Sequence, residues 1–251
     1  MKSLYNNILK IKYLIVLSLF FISSTFAQFS VGTDFVSRYV WRGFDFGQSP
    51  SIQPTVEYGT GGLAIGFWGA FATADANTVS EEVDFYGSYG FDLGEKGGSL
   101  SIGFTDYMFP TSDGFHIGNF NNFDGMTVYN DVDTVTGGSH SVEVNVGYSG
   151  PESFPISIAF NVFVHNIENN PIYFEVGYST AVEDIGLDFF VGGTTGEDGF
   201  YYATDSFGFI NVGLTASKEI KITDDFSLPI FGSIITNPET EDLFYVFGIS
   251  L

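Results

Sequence analysis

The last ten residues of the chain, Asp242 to Leu251, alternate between two faces. Every second residue from Leu243 onward is a large apolar one, and the other face ends in glycine and serine. A period of two over this length predicts a β-strand with one strongly apolar face. A strand of this kind at the end of a sequence suits a sheet closed on itself, in which the last strand pairs with the first. We therefore expect the closing strand of a transmembrane β-barrel, which barrel-assembly machinery would recognise, although Leu251 stands where an aromatic residue is usual.

The same alternation recurs along the chain and predicts about twelve strands. The first is expected over Phe29 to Arg42, with Tyr39 and Trp41 at the outer membrane interface, where amphipathic aromatic residues settle. The even-numbered connections are mostly short turns, and the two longest loops, 111–139 and 196–207, are both odd-numbered. Outer-membrane barrels have short periplasmic turns and longer outer loops. The pattern therefore predicts an all-β fold, a transmembrane antiparallel up-and-down β-barrel.

Residues 1–27 have the composition of a cleaved secretory signal. Three lysines precede an apolar stretch from Tyr13 to Ile22, and small residues then lead to a cut between Ala27 and Gln28. An N-terminal anchor is disfavoured because a membrane-spanning helix needs about 20 apolar residues. The predicted organisation is a signal peptide over 1–27 and a barrel over 28–251, located in the bacterial outer membrane.

Charge and cysteine content exclude several functional classes. Three of the eight basic residues lie in the predicted signal, which leaves five against 30 acidic residues. A chain this acidic is not expected to bind nucleic acid, since phosphate contacts need clustered Lys and Arg. Because there are no cysteines, disulfides and thiol-based metal or redox chemistry are excluded.

Alternation alone does not separate a membrane barrel from a soluble β-sandwich, because an apolar face can also cover a core. The polar face decides between them. It carries mainly Gly, Ala, Ser, Asn and acidic residues, which suit a confined lumen, whereas the other face is rich in Phe, Ile, Val and Leu, as lipid contact demands. We expect the membrane barrel, with outer-membrane lipid around it.

Charged and aromatic residues share the inward parity of their strands. These lumen candidates are Asp34, Arg38, Arg42, Glu57, Trp68, Glu82, Asp84, Tyr86, Tyr107, Phe109, Glu143, His165, Tyr173 and Glu175. Opposed charges in a narrow barrel can form a constriction that selects solutes. They can equally neutralise each other and fill the lumen, because unpaired buried charge is costly. The aromatic members would stack a ring-shaped ligand or simply pack. If the lumen is open, its acidic excess predicts cation preference.

Neither catalysis nor a metal site is expected. The three histidines are His116, His140 and His165, and no two of them have ligand spacing. A lipid-modifying barrel would need a serine and a carboxamide beside an outward histidine, and no nucleophile motif accompanies His140. The acidic loop from Asn119 to Asp133 lacks an EF-hand pattern. We therefore predict no cofactor.

Several short motifs resemble those of a known family, the TorF-type porins. The most specific is the block from Val36 to Gly43 (VSRYVWRG), followed by Gln53-Pro54 and Gly66-Phe67-Trp68-Gly69. Later motifs occur in the same order, namely Glu82-Val83-Asp84, Tyr107-Met108-Phe109-Pro110, Glu143 and Tyr173-Phe174-Glu175. The resemblance covers most of the mature chain. It implies a small outer-membrane channel with no established substrate.

Two functions follow as hypotheses. The first is a passive channel for small solutes with a preference for cations. The second is a plugged structural or interaction barrel, whose loops 111–139 and 196–207 bind an external partner.

Overall fold

The computed structural model describes residues 28–74, 81–110, 139–167, 169–198 and 201–251. The predicted signal, His116, Asn119–Asp133 and nearly all of the 111–139 loop lie outside them. The strands are β1 (Gln28–Val36), β2 (Val40–Trp41), β3 (Phe44–Asp45), β4 (Ser51–Thr60), β5 (Leu63–Ala72), β6 (Glu81–Asp92), β7 (Ser99–Phe109), β8 (Ser139–Ser149), β9 (Ile156–His165), β10 (Ile172–Val182), β11 (Ile185–Thr194), β12 (Glu197–Asp198), β13 (Ala203–Thr204), β14 (Gly208–Lys221), β15 (Ser227–Asn237) and β16 (Asp242–Ser250). No helix among the described residues is long and apolar enough to cross a membrane.

The twelve long strands form one closed antiparallel barrel, which confirms the predicted fold class. Each of these twelve strands pairs with the long strands before and after it in the chain, and β1 closes the sheet by pairing with β16. The backbones of Thr33 and Leu251 exchange two hydrogen bonds of 3.0 Å at this seam. A closed sheet has no free edge, so every long strand has partners on both sides.

The apolar parity of the strands forms the outside of the barrel. Large apolar side chains from nearly every strand are exposed there, for example Phe67, Ile102, Phe160 and Phe247. Soluble monomers rarely expose a large contiguous apolar surface to water. The core therefore lies on the other parity, inside the barrel.

The first strand ends at Val36, and the prediction that it continues to Arg42 is wrong. After Ser37, whose backbone N–H and side-chain oxygen both bind the Phe247 backbone, the chain leaves the wall. Residues 37–50 then fold into the barrel as a short hairpin of β2 and β3, here called the inserted hairpin. The alternation continues because β2 is also extended, so parity alone does not mark the point of departure.

The hairpin turns at two residues with positive φ, Arg42 at 49° and Gly43 at 82°. A Cβ on Gly43 would lie 1.8 Å from the Ile210 carbonyl oxygen, so only glycine fits this approach to β14. Tyr39 and Trp41 were expected at a membrane interface. Tyr39 is instead buried and Trp41 half-buried, both packed against aromatic residues inside the barrel.

Candidate functional site: the barrel lumen

Trp41 of the inserted hairpin is at the centre of an aromatic cluster in the lumen. Its ring centroid lies 5.7 Å from those of Tyr107 and Tyr201, and its ring stacks on Tyr202 at 6.0 Å with an angle of 8°. Tyr201 in turn packs against Phe163 at 4.4 Å. Aromatic pairs at these separations contribute attraction beyond their buried area. The cluster therefore joins the hairpin, the β7 and β9 walls and the β11–β14 connection into one packed unit.

Arg42 fixes the hairpin to the opposite wall. Its Nη1 and Nη2 donate to Oε1 and Oε2 of Glu143 at 2.6 and 2.9 Å, and Nη1 also donates to the Tyr202 hydroxyl at 2.5 Å. The guanidinium lies between two rings, 4.3 Å from the centroid of Trp41 and 4.2 Å from that of Tyr173. Bidentate pairing and ring stacking are geometries that arginine provides and lysine does not.

Glu143 is completely buried, and its Oε2 accepts two further hydrogen bonds. Tyr107 donates its hydroxyl to Oε2 at 3.0 Å, and Asn145 Nδ2 donates to the same oxygen at 2.8 Å. Asn145 also donates to Asn161 Oδ1 at 3.0 Å. A buried ion pair is tolerated only when such additional hydrogen bonds offset its desolvation. The Arg42–Glu143 pair meets that condition.

Two side chains of the inserted hairpin, Arg42 and Tyr39, keep the protonation states that their hydrogen bonds require. Burial by itself lowers the pKa of Arg42, but the nearby Tyr202 and Glu143 outweigh it and hold the pKa above its usual range. Burial raises the pKa of Tyr39, and the charges of Glu82 and Asp84 raise it further. Arg42 thus stays protonated, and the Tyr39 phenol keeps the proton that it donates to Glu82.

The lumen is filled across its whole section at this end, the hairpin end. All twelve long strands contribute at least one inward side chain that is less than 10% exposed. These residues are Val36, Gln53, Ala70, Glu82, Asp84, Tyr107, Glu143, Phe163, Tyr173, Thr194, Asn211, Ile235 and Phe244. Among the described residues, these wall side chains at the hairpin end are therefore covered by other protein atoms.

The other half of the lumen, here called the vestibule, is lined by small and polar residues that are only partly buried. It begins at the terminal end of the barrel, where Gln28 and Leu251 lie. Its wall includes Ser88, Ser101 and Gly147, and Tyr86 donates its hydroxyl to Glu57 at 2.9 Å. Small side chains leave space that the aromatic residues fill elsewhere.

The structure distributes the predicted lumen residues over these two regions. Asp34, Glu57, Trp68, Glu82, Asp84, Tyr86, Tyr107, Phe109, Glu143, Tyr173 and Glu175 lie on the inward face of their strands. Arg38 and Arg42 were assigned to the wall of β1 and instead belong to the inserted hairpin. Arg38 binds Asp45 within the hairpin at 2.9 Å, and its side chain is 41% exposed. The two arginines therefore do not form one ring of positive charge.

The lumen position predicted for His165 is wrong. A β-bulge between β8 and β9 pairs His165 with Val142, whose neighbour Glu143 faces the lumen. One extra residue reverses the parity of a strand, so His165 lies with the outward positions. It lies on the same face of the sheet as Asp106, which binds His140 Nδ1 at 3.0 Å.

Parity missed the two elements that fill the lumen, the inserted hairpin and the segment with Tyr201 and Tyr202. One available signal was length, because fourteen residues exceed the roughly 9–11 that a tilted strand needs to cross a bilayer. Another was the Gly43–Ser51 stretch, whose glycine and proline content predicted a loop. Neither signal shows whether a loop turns inward.

No group of three or more His, Asp or Glu side chains within the described ranges could hold a metal ion. Residues 23–227 match the model of a protein family described as "Bacterial protein of unknown function (Gcw_chp)". No curated protein gives a significant match.

Proposed function

The chain belongs to the Gcw_chp family of bacterial proteins of unknown function, and we propose that it is an outer-membrane channel closed at rest by its inserted hairpin. The observation that carries this proposal is the filled section at the hairpin end, where the Arg42–Glu143 pair joins the hairpin to β8. Passage of a small solute then requires the hairpin to move.

A membrane location is supported by the closed barrel and its apolar outer surface. Strands in lipid must satisfy every backbone hydrogen bond within a closed sheet. The predicted secretory signal supports export across the inner membrane, and the even number of long strands is typical of bacterial outer-membrane barrels. The block that resembles TorF-type porins, Val36 to Gly43, ends β1 and begins the inserted hairpin. That resemblance therefore points to the hairpin as the functional element.

Adjacent residues on β7 test which face meets lipid. Ile102 faces outward and is 51% exposed, whereas Ser101 faces the vestibule. Ile102→Lys is expected to lower the free energy of unfolding by about 2 kcal/mol, because a cation on the lipid face must leave water. Ser101→Lys should cost much less. Denaturant titrations of both variants in lipid vesicles measure the difference, and equal losses would refute the assignment of the faces.

The choice of a channel over a permanently plugged barrel is supported by the vestibule. A barrel that serves only as a scaffold gains nothing from small, partly buried residues along half of its lumen, and closer packing would stabilise it. Once the hairpin moves, the lumen is acidic, with Glu57, Glu82, Asp84 and Glu175 on its wall. We propose cation preference for the opened channel. No catalytic role is proposed for His140.

Planar-bilayer recordings of the wild-type protein test the closed state. We expect no steady current at low voltage, and only brief steps when a high voltage is applied, with a reversal potential that favours cations. A steady current at low voltage would contradict the resting closure. Silence at every voltage would favour the alternative, a plugged barrel whose loops 111–139 and 196–207 bind an outside partner.

A further inference from the structure

The guanidinium of Arg42 is held mainly by groups that lie outside the inserted hairpin. Both carboxylate oxygens of Glu143 accept its N–H groups, at 2.6 and 2.9 Å, and the Tyr202 hydroxyl accepts another at 2.5 Å. The Tyr173 ring covers one face of the guanidinium at 4.2 Å. Among the described partners, only Trp41, 4.3 Å from the guanidinium, belongs to the hairpin. The groups on the wall and on the β11–β14 connection, here called the Arg42 site, therefore remain when the hairpin moves.

The sheet positions Glu143 without help from Arg42. Tyr107 and Asn145 both donate to its Oε2, at 3.0 and 2.8 Å. Asn145 is in turn fixed by its second hydrogen bond, to Asn161 Oδ1 at 3.0 Å. These side chains belong to β7, β8 and β9, three neighbouring strands of the wall. The carboxylate is therefore preorganised for a ligand with the geometry of a guanidinium.

Once the hairpin moves, no other side chain of residues 28–251 is placed to neutralise Glu143. A fully buried carboxylate that loses its partner is strongly unfavourable. Four other basic residues remain in this part of the chain, and one of them, Arg38, moves with the hairpin, where it binds Asp45. The others are lysines in or near turns at the terminal end, namely Lys96, Lys218 and Lys221. Either a proton or a cation from solution then has to neutralise Glu143.

We propose that the Arg42 site binds the guanidinium group of a small solute, and that Arg42 occupies this site at rest. The inference rests on the proposed channel, because a solute that replaces Arg42 releases the hairpin and so favours the open state. A guanidinium fits the site better than an ammonium ion does. Its planar fork pairs with both oxygens of a carboxylate, and its flat faces stack on aromatic rings.

The vestibule gives such a solute a path from the terminal end. Tyr173, which covers the guanidinium of Arg42, donates its own hydroxyl to Glu175 Oε2 at 2.5 Å, and Asn211 Nδ2 donates to the same oxygen at 2.8 Å. Glu175 lies two residues nearer the terminal end on β10 and is only partly buried. A cation that enters the vestibule therefore meets this carboxylate before it reaches Glu143.

Calorimetric titration of the full mature chain in detergent measures binding without a membrane current. The variant is Arg42→Gly, because Arg42 has a φ of 49°, which glycine adopts without strain, and the change empties the site. The ligand is propylguanidinium, which has the structure of the removed side chain. We expect saturable binding of this ligand, binding of propylammonium that is weaker by about tenfold or more, and no binding of neutral propylurea.

Two double variants identify the carboxylate that binds the ligand. Arg42→Gly/Glu143→Gln is expected to bind propylguanidinium more weakly than Arg42→Gly by about tenfold or more, since it loses the charged acceptor. Arg42→Gly/Asp188→Asn is the matched control, because Asp188 is exposed near the terminal end, where Ser179 Oγ donates to it at 2.6 Å. Its affinity should equal that of Arg42→Gly. No saturable binding, or equal losses in both double variants, would overturn the proposal.

Planar-bilayer recordings of the wild-type protein test the competition with Arg42. Propylguanidinium on the terminal side should raise the open probability at a fixed high voltage, and an equal concentration of propylammonium should raise it far less. A channel that opens with voltage but responds equally to both compounds, or to neither, would overturn the proposal. If Arg42→Gly does not fold, the titration is made on a variant in which a Gly-Ser link replaces residues 39–48, with the same expected result.

The two experiments fail separately. Saturable binding of propylguanidinium by a barrel that never conducts would refute the channel and support the guanidinium site. A channel that conducts when the hairpin is replaced but binds no propylguanidinium would support the proposed function and overturn this inference.

Discussion

Replacing residues 39–48 with a short Gly-Ser link is expected to convert a barrel that is silent at low voltage into one that conducts in steady steps. The replacement removes Trp41 and Arg42, and with them the contacts to β7, β8 and the Tyr202 segment. It keeps the two hydrogen bonds between Ser37 and the Phe247 backbone, and also the bond that the Thr73 N–H donates to the Pro50 carbonyl. The wall therefore remains closed. Water then reaches Glu143.

The opened barrel should prefer cations. The carboxylates that remain on its wall include Glu57, Glu82, Glu143 and Glu175, and the replacement removes the one arginine that binds a wall carboxylate in the lumen. Charged rings of one sign in a pore select ions of the other sign. The reversal potential in a salt gradient measures this preference. Anion preference, or a barrel that stays silent, would show that the hairpin does not control conduction.

Two point variants serve as a matched pair for this experiment. Gly43→Ala should also open the lumen, because a Cβ there collides with the Ile210 carbonyl and prevents the hairpin from seating. Arg38→Gln should stay silent, since the Arg38 side chain is substantially exposed and binds Asp45, which is itself part of the hairpin. Opening by Arg38→Gln would point to general destabilisation instead.

Arg42→Met is expected to lower the free energy of unfolding by about 3–5 kcal/mol, the cost of leaving a buried charge without its partner. Glu143 is the residue left behind, at 0% exposure and still bound by Tyr107 and Asn145. Arg42→Lys keeps the charge but loses the bidentate geometry and the stacking on Trp41 and Tyr173, so an intermediate loss is expected. Denaturant titrations in lipid vesicles measure each value.

The double variant Arg42→Met/Glu143→Gln distinguishes a lost ion pair from lost packing. Glutamine keeps an oxygen acceptor for Tyr107 and carries no charge, so most of the stability should return. The double-mutant cycle then gives a large coupling energy between the two positions. If the losses simply add, the pair does not hold the hairpin.

The parts of the fold that the sequence predicts are those that depend on local periodicity. Alternation along Asp242–Leu251 and its counterparts predicted the long strands, their antiparallel order and the closure of β16 on β1. It also predicted which face is apolar. A strand places successive side chains on opposite faces, so this information is present within any ten residues.

The same reasoning failed where the chain leaves the wall. A stretch that alternates looks identical whether it continues a barrel strand, as Gln28–Val36 does, or enters the lumen, as Val40–Trp41 does. The bulge beside Glu143 is equally invisible, and it moved His165 to the outside. The first error arose because the alternation continues after the chain leaves the wall, and the second arose because a bulge changes the parity of β9.

The sequence by itself thus determined a closed barrel with an apolar exterior and an acidic interior, because those properties follow from each strand alone. Only the tertiary structure decided that the interior is closed. That closure rests on Arg42 meeting Glu143 and Tyr202, which are 101 and 160 residues away along the chain. No local pattern encodes such contacts, because they exist only after the whole sheet has brought β8 and the β11–β14 connection around the hairpin.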